Sequence, residues 1–189
     1  MAPAFATNSI GAHHKDHHKD AWVISWEVKV GREGYSEPKV DKVIEFQRIR
    51  GGVFESLTVC RFPFIKLDFE LEWYTKLLHE ATGLEITLED LNLIADRTFN
   101  LIRAFWIREY GKNWSREMAV PPARWFEEPL SKGPLKGAKL DRTRYDVMLQ
   151  RYYKKRGWDE RGIPTKTTLK RLGLEDVAKQ LKKRVKLFD

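Results

Sequence analysis

The sequence predicts an all-α protein, and three observations carry that prediction. Long stretches repeat apolar residues at three- and four-residue spacing, which is the period of one helix face. A glycine directly follows most of these stretches, and glycine commonly ends a helix. Only one short segment, residues 21–30, partly alternates apolar and polar residues as a strand does. The predicted helical stretches are 39–60, 67–82, 87–110 and 143–156.

The composition is that of a chain with its own hydrophobic core. Of its 189 residues, 42% are hydrophobic and 12% are aromatic, which is enough to bury a core. The single cysteine, Cys60, rules out a disulfide scaffold and suits the reducing cytoplasm. We find no apolar run that could span a membrane and no signal peptide, so we expect a cytoplasmic protein.

The first helical stretch, 39–60, follows a segment (1–37) that we expect to be irregular, and it contains an interruption. Gly51 and Gly52 lie within its apolar pattern, and each glycine weakens a helix by roughly 1 kcal/mol relative to alanine. Either the helix breaks there, or another part of the chain packs so close that no side chain fits. Pro63 ends the stretch.

The stretch 87–110 is the clearest helix. Thr87 is a good N-cap, and Asp90 three residues later gives a capping-box-like arrangement. Gly111 follows its last residue. Residues at helical spacing form its predicted apolar stripe: Leu91, Ile94, Ala95, Thr98, Leu101, Ile102, Phe105 and Trp106.

The last third begins with a long connection that contains proline and glycine, residues 112–141. Long ordered loops are usually functional or wrap a neighbour. After the helix 143–156, two short helices separated by Gly173 complete the chain. No internal boundary is visible, so residues 1–189 are predicted to form one helical domain.

The charge distribution leaves two interpretations open. The net charge is +8, and residues 166–186 are rich in lysine and arginine. A basic domain can bind nucleic acid or an acidic partner. A solvated helix face is the interpretation that we favour, because acidic residues are also numerous and no nucleic-acid-binding motif is visible. The 33% of charged residues is a level typical of thermophile proteins.

Four segments together carry a resemblance to a known family. They read ATNSIGAHHKD, RGGVFESLTVCRFP, PPARWFEEPLSKGPLKG and YYKKRGWDERGIPT, in this order along the chain. In their order and spacing the chain resembles the C-terminal domain of the tungsten-containing aldehyde ferredoxin oxidoreductases, in their formaldehyde-type branch. The resemblance covers nearly the whole chain.

Cys60 is the residue on which the functional interpretation depends. One thiol cannot form an internal disulfide or hold a metal alone, and a buried structural cysteine is the ordinary alternative. The resemblance implies instead that Cys60 is the distant fourth ligand of a 4Fe-4S cluster. Ligation of such clusters by four cysteines is the rule.

The residues before Cys60 match a cofactor-binding segment of the family, with differences. Many members have Asp-x-x-Gly-Leu-Cys, and their aspartate binds the pterin of the tungsten cofactor. Here the resemblance places Glu55, Thr58 and Val59 at the cofactor. A glutamate still accepts hydrogen bonds from pterin N–H groups, whereas threonine in place of glycine removes backbone freedom.

The tandem repeat HHKDHHKD, residues 13–20, supplies the candidate catalytic residues. The family carries a histidine near the tungsten, and the resemblance assigns that role to His14 or His18. A neutral imidazole can donate a hydrogen bond to an oxo group or a carbonyl, and it can move a proton near pH 7.

The resemblance implies oxidation of aldehydes to carboxylic acids by tungstopterin, with electrons passing through the cluster to ferredoxin. No CxxC motif is present, and the N-terminal and middle domains of the family are absent. We therefore expect a fragment, separate subunit or truncated frame that binds no cofactor and turns over no aldehyde alone. The alternatives are a basic helical nucleic-acid-binding protein and an inactive orphan domain.

Overall fold

A computed structural model describes residues 2–8, 31 and 34–189. Within these ranges the regular structure is helical, without a strand, so the predicted all-α class is confirmed. The predicted strand at 21–30 lies outside the described residues. Among the described residues, every helix is too short or too polar to cross a lipid bilayer.

The described helices follow one another along the chain in this order. Before the long central helix lie α1 (Ala2–Thr7), α2 (Glu37–Arg48), a π-helix (Ile49–Glu55), α3 (Phe62–Lys66) and α4 (Glu72–Thr82). The central helix is α5 (Leu88–Tyr110). After it come 3₁₀ turns at Gly111–Asn113 and Arg116–Ala119, then α6 (Arg124–Glu127), α7 (Arg142–Arg156), α8 (Lys166–Arg171) and α9 (Glu175–Leu181).

The start of α5 is as predicted. The Asp90 N–H donates to the Thr87 hydroxyl at 3.1 Å, and the Thr87 N–H donates to the Asp90 carboxylate at 2.9 Å. This reciprocal capping box satisfies two backbone donors that a helix start leaves unpaired. Local sequence alone fixes this boundary.

The glycine pair does not break the helix. The chain continues from α2 into the π-helix, which packs against the first half of α5. A Cβ atom on Gly52 would overlap the carbonyl group of Leu91, at 2.7 Å from its carbon atom. A Cβ on Gly51 would lie 3.4 Å from the Phe99 ring, which is an ordinary contact. Close packing therefore explains Gly52, as the second of the two alternatives predicts.

Three predicted boundaries differ from the structure. The helix predicted for 39–60 ends at Glu55, five residues before Cys60. The segment 1–37 is not irregular throughout, because alanine-rich residues 2–7 form α1, whose Thr7 hydroxyl donates to the Pro3 carbonyl at 2.7 Å. The helix predicted for 67–82 begins only at Glu72. Asp68 has a positive φ of 50°, which interrupts helical geometry before that point.

The buried apolar residues form three clusters around α5. The π-helix cluster has few fully buried members, whereas the central cluster and the C-terminal cluster are larger. The buried members of the π-helix cluster are Val53, Tyr74 and Leu91. Those of the central cluster are Val40, Ile44, Ala119, Tyr145, Met148, Leu149, Tyr152, Tyr153 and Trp158. Those of the C-terminal cluster are Ala104, Ile107, Ile163, Leu169, Leu172, Leu174, Leu181 and Leu187.

A buried carboxylate joins the helices at the middle of α5. Asp96 accepts from Arg48 of α2 at 2.7 and 3.0 Å and from Arg156 of α7 at 2.9 Å. The Arg156 side chain is 2% exposed, so its charge has little access to water. Asp96 therefore holds α2, α5 and α7 in one arrangement.

Candidate functional site

Cys60 lies just after the π-helix, and its side chain is exposed. The alternative of a buried structural cysteine is therefore not supported. Its Sγ accepts a hydrogen bond from the Phe62 N–H at 3.4 Å. This hydrogen bond fixes the position of an exposed sulfur.

The backbone of Cys60 is held from the other side by Tyr74 of α4. The Tyr74 hydroxyl donates to the Cys60 carbonyl at 3.2 Å. Burial raises the pKa of this hydroxyl above its ordinary value, so it remains a protonated donor at neutral pH. Tyr74 itself belongs to the π-helix cluster, which connects the thiol position to the core.

The turn that presents Cys60 begins at Thr58. This residue has a positive φ of 54°, a left-handed conformation that a β-branched residue rarely adopts. The N–H of Val59 donates back to the Phe54 carbonyl at 3.0 Å, and the Thr58 hydroxyl donates to the Leu57 carbonyl at 2.7 Å. The position at which many family members carry glycine is thus one where glycine is the unstrained choice.

Glu55 is the last residue of the π-helix, and its carboxylate is about half exposed. The Glu55 Oε1 lies 3.4 Å from Nε of Arg50, which is 3% exposed. The Arg50 guanidinium lies 5.4 Å from the centre of the Phe99 ring of α5. Arg50 and Glu55 therefore form an ion pair in which the arginine is buried and the carboxylate is about half exposed.

Arg50 also connects the π-helix to the N-terminal segment. Its Nη1 donates to the Asn8 side-chain oxygen at 3.2 Å, and the Gln47 amide donates to the Thr7 hydroxyl at 3.3 Å. From Asn8 the chain continues into the segment that holds the predicted catalytic residues, His14 and His18. Both histidines lie outside the described residues.

The structure thus brings Glu55, Thr58, Val59 and Cys60 together in one exposed turn. Sequence reasoning misses the buried side chains behind that turn, chiefly Arg50. A charged residue beside a glycine pair was the available signal, since Arg50 interrupts the apolar pattern where the helices pack most closely.

The donor set of the described residues fits one cluster ligand but not a complete metal site. No group of three or more histidine, cysteine or acidic side chains that could hold a metal is found in the ranges that the structure describes. A 4Fe-4S cluster takes four thiolates, and this chain has one cysteine. Cys60 could therefore serve as one ligand, with the others coming from elsewhere.

Apolar side chains surround the turn and continue along α5. Val59, Phe62 and Leu67 are all exposed near Cys60. Of the stripe predicted to be buried on α5, Leu91 and Ala95 are buried. Four of its large members are instead 38–48% exposed: Ile94, Leu101, Phe105 and Trp106. The prediction of burial is wrong for these four, because no other described element covers that face.

The comparisons with known proteins agree with this geometry. A family model described as "Aldehyde ferredoxin oxidoreductase, domains 2 & 3" matches residues 1–174. This chain belongs to the aldehyde ferredoxin oxidoreductase family. Members with 34% and 32% identity over 173 residues are the tungsten-containing aldehyde ferredoxin oxidoreductases of Pyrococcus horikoshii and Pyrococcus furiosus. Each alignment covers 91% of this chain and 27% of the relative.

A further relative carries a different substrate in its name. The aliphatic sulfonate oxidoreductase, WOR-like subunit, of Pyrococcus furiosus is 38% identical over 143 residues, covering 71% of this chain and 22% of that protein. The chain thus spans only about a quarter of the length of the curated aldehyde ferredoxin oxidoreductases that it matches, 27% in the first two.

A solved structure shows the same fold. It is the active site complex BamBC of benzoyl coenzyme A reductase in complex with 1,5 dienoyl-CoA, with a TM-score of 0.62 and 23% sequence identity. The match covers 97% of this chain and 32% of that chain. The helical arrangement described above is therefore a known one.

Proposed function

We propose that this chain is the helical C-terminal part of a tungstopterin-dependent aldehyde ferredoxin oxidoreductase of formaldehyde type. When bound, tungstopterin supplies the oxidation of an aldehyde to a carboxylic acid, and a 4Fe-4S cluster supplies the path for electrons to ferredoxin. Family membership and the exposed Cys60 support this proposal. The scarcity of cysteine supports a cytoplasmic location.

Cys60 is the residue proposed to ligate the cluster. Its exposed Sγ, with the Phe62 N–H at 3.4 Å and the Tyr74 hydroxyl on its carbonyl, is a thiol in a fixed position that a partner can reach. A ligand that must meet three thiolates from another part of the enzyme has to be exposed in this chain alone. This exposure is the observation that carries the proposal.

The neighbouring residues are proposed to face the pterin. The free oxygen of Glu55 can accept from pterin N–H groups, while Arg50 fixes the direction of the carboxylate. Thr58 and Val59 would contact the cofactor through the exposed turn. His14 or His18 is proposed to donate a hydrogen bond or transfer a proton beside the substrate carbonyl.

The exposed face of α5 is proposed to pack against the rest of the enzyme. Large apolar side chains exposed side by side mark an interaction surface. About three quarters of the length of the aldehyde ferredoxin oxidoreductase relatives lies outside this chain, since the alignments cover 27% of each. The occupant we propose is that remaining part, in the same or a separate chain, with Leu101 and Phe105 at the contact.

The experiment is assembly with the missing part. This chain is co-expressed with the remaining N-terminal portion of a relative, and the complex is analysed for iron, tungsten and visible absorbance. We expect the isolated chain to be colourless and the complex to be brown and to contain iron. Cys60→Ala should lower the iron content of the complex, because one thiolate of four is lost.

Two controls separate ligation from folding. The isolated Cys60→Ala chain should keep its helical circular dichroism, since an exposed thiol contributes little to packing. Ser131→Ala, a change at an exposed position of the long connection, should leave the iron content of the complex unchanged. A Cys60→Ala complex with an unaltered cluster would remove the basis of the proposal.

A further inference from the structure

A second feature, far from Cys60, is a basic cleft at the C-terminal end of α5. It has a volume of about 620 Å³, within the usual size range of small-molecule sites. Five cationic side chains and one carboxylate line it: Lys112, Arg116, Arg161, Arg184, Lys186 and Glu160. Positive charge in a concave site attracts anions more strongly than the same charge on a flat surface.

Two of these cations are already paired with carboxylates. Arg161 lies 2.6 Å from the Asp159 carboxylate, and Arg116 lies 3.2 Å from that of Asp146. Within the described part of the chain, Lys112, Arg184 and Lys186 have no carboxylate at ion-pair distance. These three cations line the cleft, where Glu160 supplies one opposing charge, and the Lys186 Nζ also lies 5.0 Å from the centre of the Phe188 ring.

The C-terminal tail that supplies Arg184 and Lys186 is fixed in place. Leu187 is buried in the C-terminal cluster, and the Phe188 carbonyl accepts from the Lys166 N–H at 2.9 Å. The Lys186 carbonyl accepts from the Arg161 side chain at 2.6 Å. The two cations are thus placed at the cleft by the packing of the residues beside them.

The cleft also has an apolar wall. Trp114, Ile163 and Val185 contribute to it. The Trp114 indole N–H donates to the Arg161 carbonyl at 3.1 Å, and its ring lies 4.3 Å from the guanidinium of Arg103. An aromatic side chain beside several cations suits a ligand that has both an apolar part and several negative charges.

We propose that this cleft binds a small organic phosphate with at least two negative charges, of nucleotide size. Arginine and lysine are the side chains that recognise phosphate, arginine through paired hydrogen bonds. A dianion or trianion would balance the three uncompensated cations, and its organic part would contact the apolar wall. The volume admits one such molecule.

The cleft is independent of the cluster segment. The Cys60 turn packs at the start of α5, and Trp114 follows its end, after a helix of 23 residues that is about 34 Å long at 1.5 Å per residue. The family match ends at residue 174, so Arg184 and Lys186 lie beyond it. The proposed site therefore does not rest on the proposed oxidoreductase function.

The test is calorimetric titration of the full chain with ATP in metal-free buffer. We expect saturable one-to-one binding that pyrophosphate displaces, since pyrophosphate takes the same cationic positions. Adenosine should not bind measurably. Arg184→Ala and Lys186→Ala should each weaken ATP binding about tenfold, since a hydrogen bond to a charged group is lost.

The matched control is Lys183→Ala. Lys183 is exposed, lies next to Arg184 and does not line the cleft, so its removal changes net charge equally without changing the site. ATP affinity should stay within twofold. Non-saturable ATP binding would overturn the proposal, and so would a Lys183→Ala variant that weakens ATP binding as much as Arg184→Ala does. Displacement of ATP by duplex DNA, which contacts a surface through many phosphates, would overturn it in favour of a nucleic-acid surface.

Discussion

Two segments of the chain, one on each side of α5 in sequence, differ in how their apolar side chains are covered. At the Cys60 end, residues 49–86, large apolar side chains remain exposed around a small cluster: Val59, Phe62, Leu67, Trp73, Leu77 and Leu84. At the C-terminal end, residues 158–189, all of which are described, Phe188 is the only exposed large apolar residue. Charged side chains cover this end instead.

This difference indicates which end faces another part of a protein. An exposed apolar face costs solvation free energy unless something covers it, whereas lysine and arginine are well solvated. The thiol lies in the segment that lacks cover, whereas Arg184 and Lys186 of the basic cleft lie in the segment whose apolar residues are covered. The segment around Cys60 is therefore the one that we propose to face another part of the enzyme.

The largest effect should come from breaking the ion network that lies between the two segments in sequence and joins α2, α5 and α7. Asp96→Asn leaves the buried Arg156 without its charge partner, so we expect the free energy of unfolding to fall by about 3 kcal/mol or more. Urea denaturation measures it. Asp176→Asn removes a fully exposed partner of Lys179 and should give no measurable change. Equal effects of the two changes would contradict the role of burial.

The next effect should be confined to the Cys60 end. Gly52→Ala places a methyl group on the Leu91 carbonyl, and we expect destabilisation by about 3 kcal/mol. Gly51→Ala is the matched control, because its methyl group meets only ordinary contacts and should change stability by less than about 1 kcal/mol. Hydrogen exchange should quicken in the π-helix of Gly52→Ala and remain slow in α8.

A third prediction concerns pH and the central cluster, which contains no buried residue from 49–86. Burial raises the pKa of Tyr145 well above its ordinary value, whereas an unfolded tyrosine loses its proton near pH 10. Above that pH the unfolded chain binds fewer protons than the folded chain. The contribution of Tyr145 to the free energy of unfolding is therefore complete below about pH 10. Above that pH it is lost by about 1.4 kcal/mol per pH unit.

Denaturant titrations between pH 8 and pH 11 test whether the free energy of unfolding falls as pH rises. Tyr145→Phe should remove the contribution of Tyr145 to the slope of this free energy against pH, although it also removes a 3.2 Å hydrogen bond to the Ala119 carbonyl. Tyr110→Phe, at an exposed tyrosine, should leave the slope unchanged. A slope that is the same in all three proteins would show that Tyr145 does not set it.

The smallest effect should be a gain at the Cys60 turn. Thr58→Gly relieves a left-handed conformation that costs an L-residue roughly 1–2 kcal/mol, partly offset by the greater entropy of an unfolded glycine. We expect net stabilisation of up to about 1 kcal/mol. Thr75→Gly, inside α4, should instead destabilise by a similar amount, because its backbone is helical. Changes in stability of the same sign at both positions would argue against a left-handed conformation at Thr58.

Local signals explain which parts of the fold could be predicted. The capping box of Thr87 and Asp90 and the glycines after α4 and α7 involve neighbours in sequence, so their pattern was sufficient. The π-helix was not predictable, because an apolar period with two glycines also fits a broken helix. Only the position of Leu91 decides between them.

The proposed members of the candidate site are neighbours in sequence, whereas the side chains that support them are not. Glu55, Thr58, Val59 and Cys60 are consecutive enough to form one turn. Arg50 depends on contacts with Asn8 and Phe99, which are distant in sequence. The exposure of Leu101 could not be inferred either, since an apolar stripe does not reveal whether its partner belongs to the same chain.

The π-helix has a consequence for insertions and deletions. Its hydrogen bonds reach one residue farther than those of an α-helix, so the segment Ile49–Glu55 shifts the rotational phase of everything that follows. Removing a single residue would restore the α-helical phase and turn the exit of the chain by about 100° around the axis. The direction in which Cys60 points is thus set by the number of residues before it as much as by their identity.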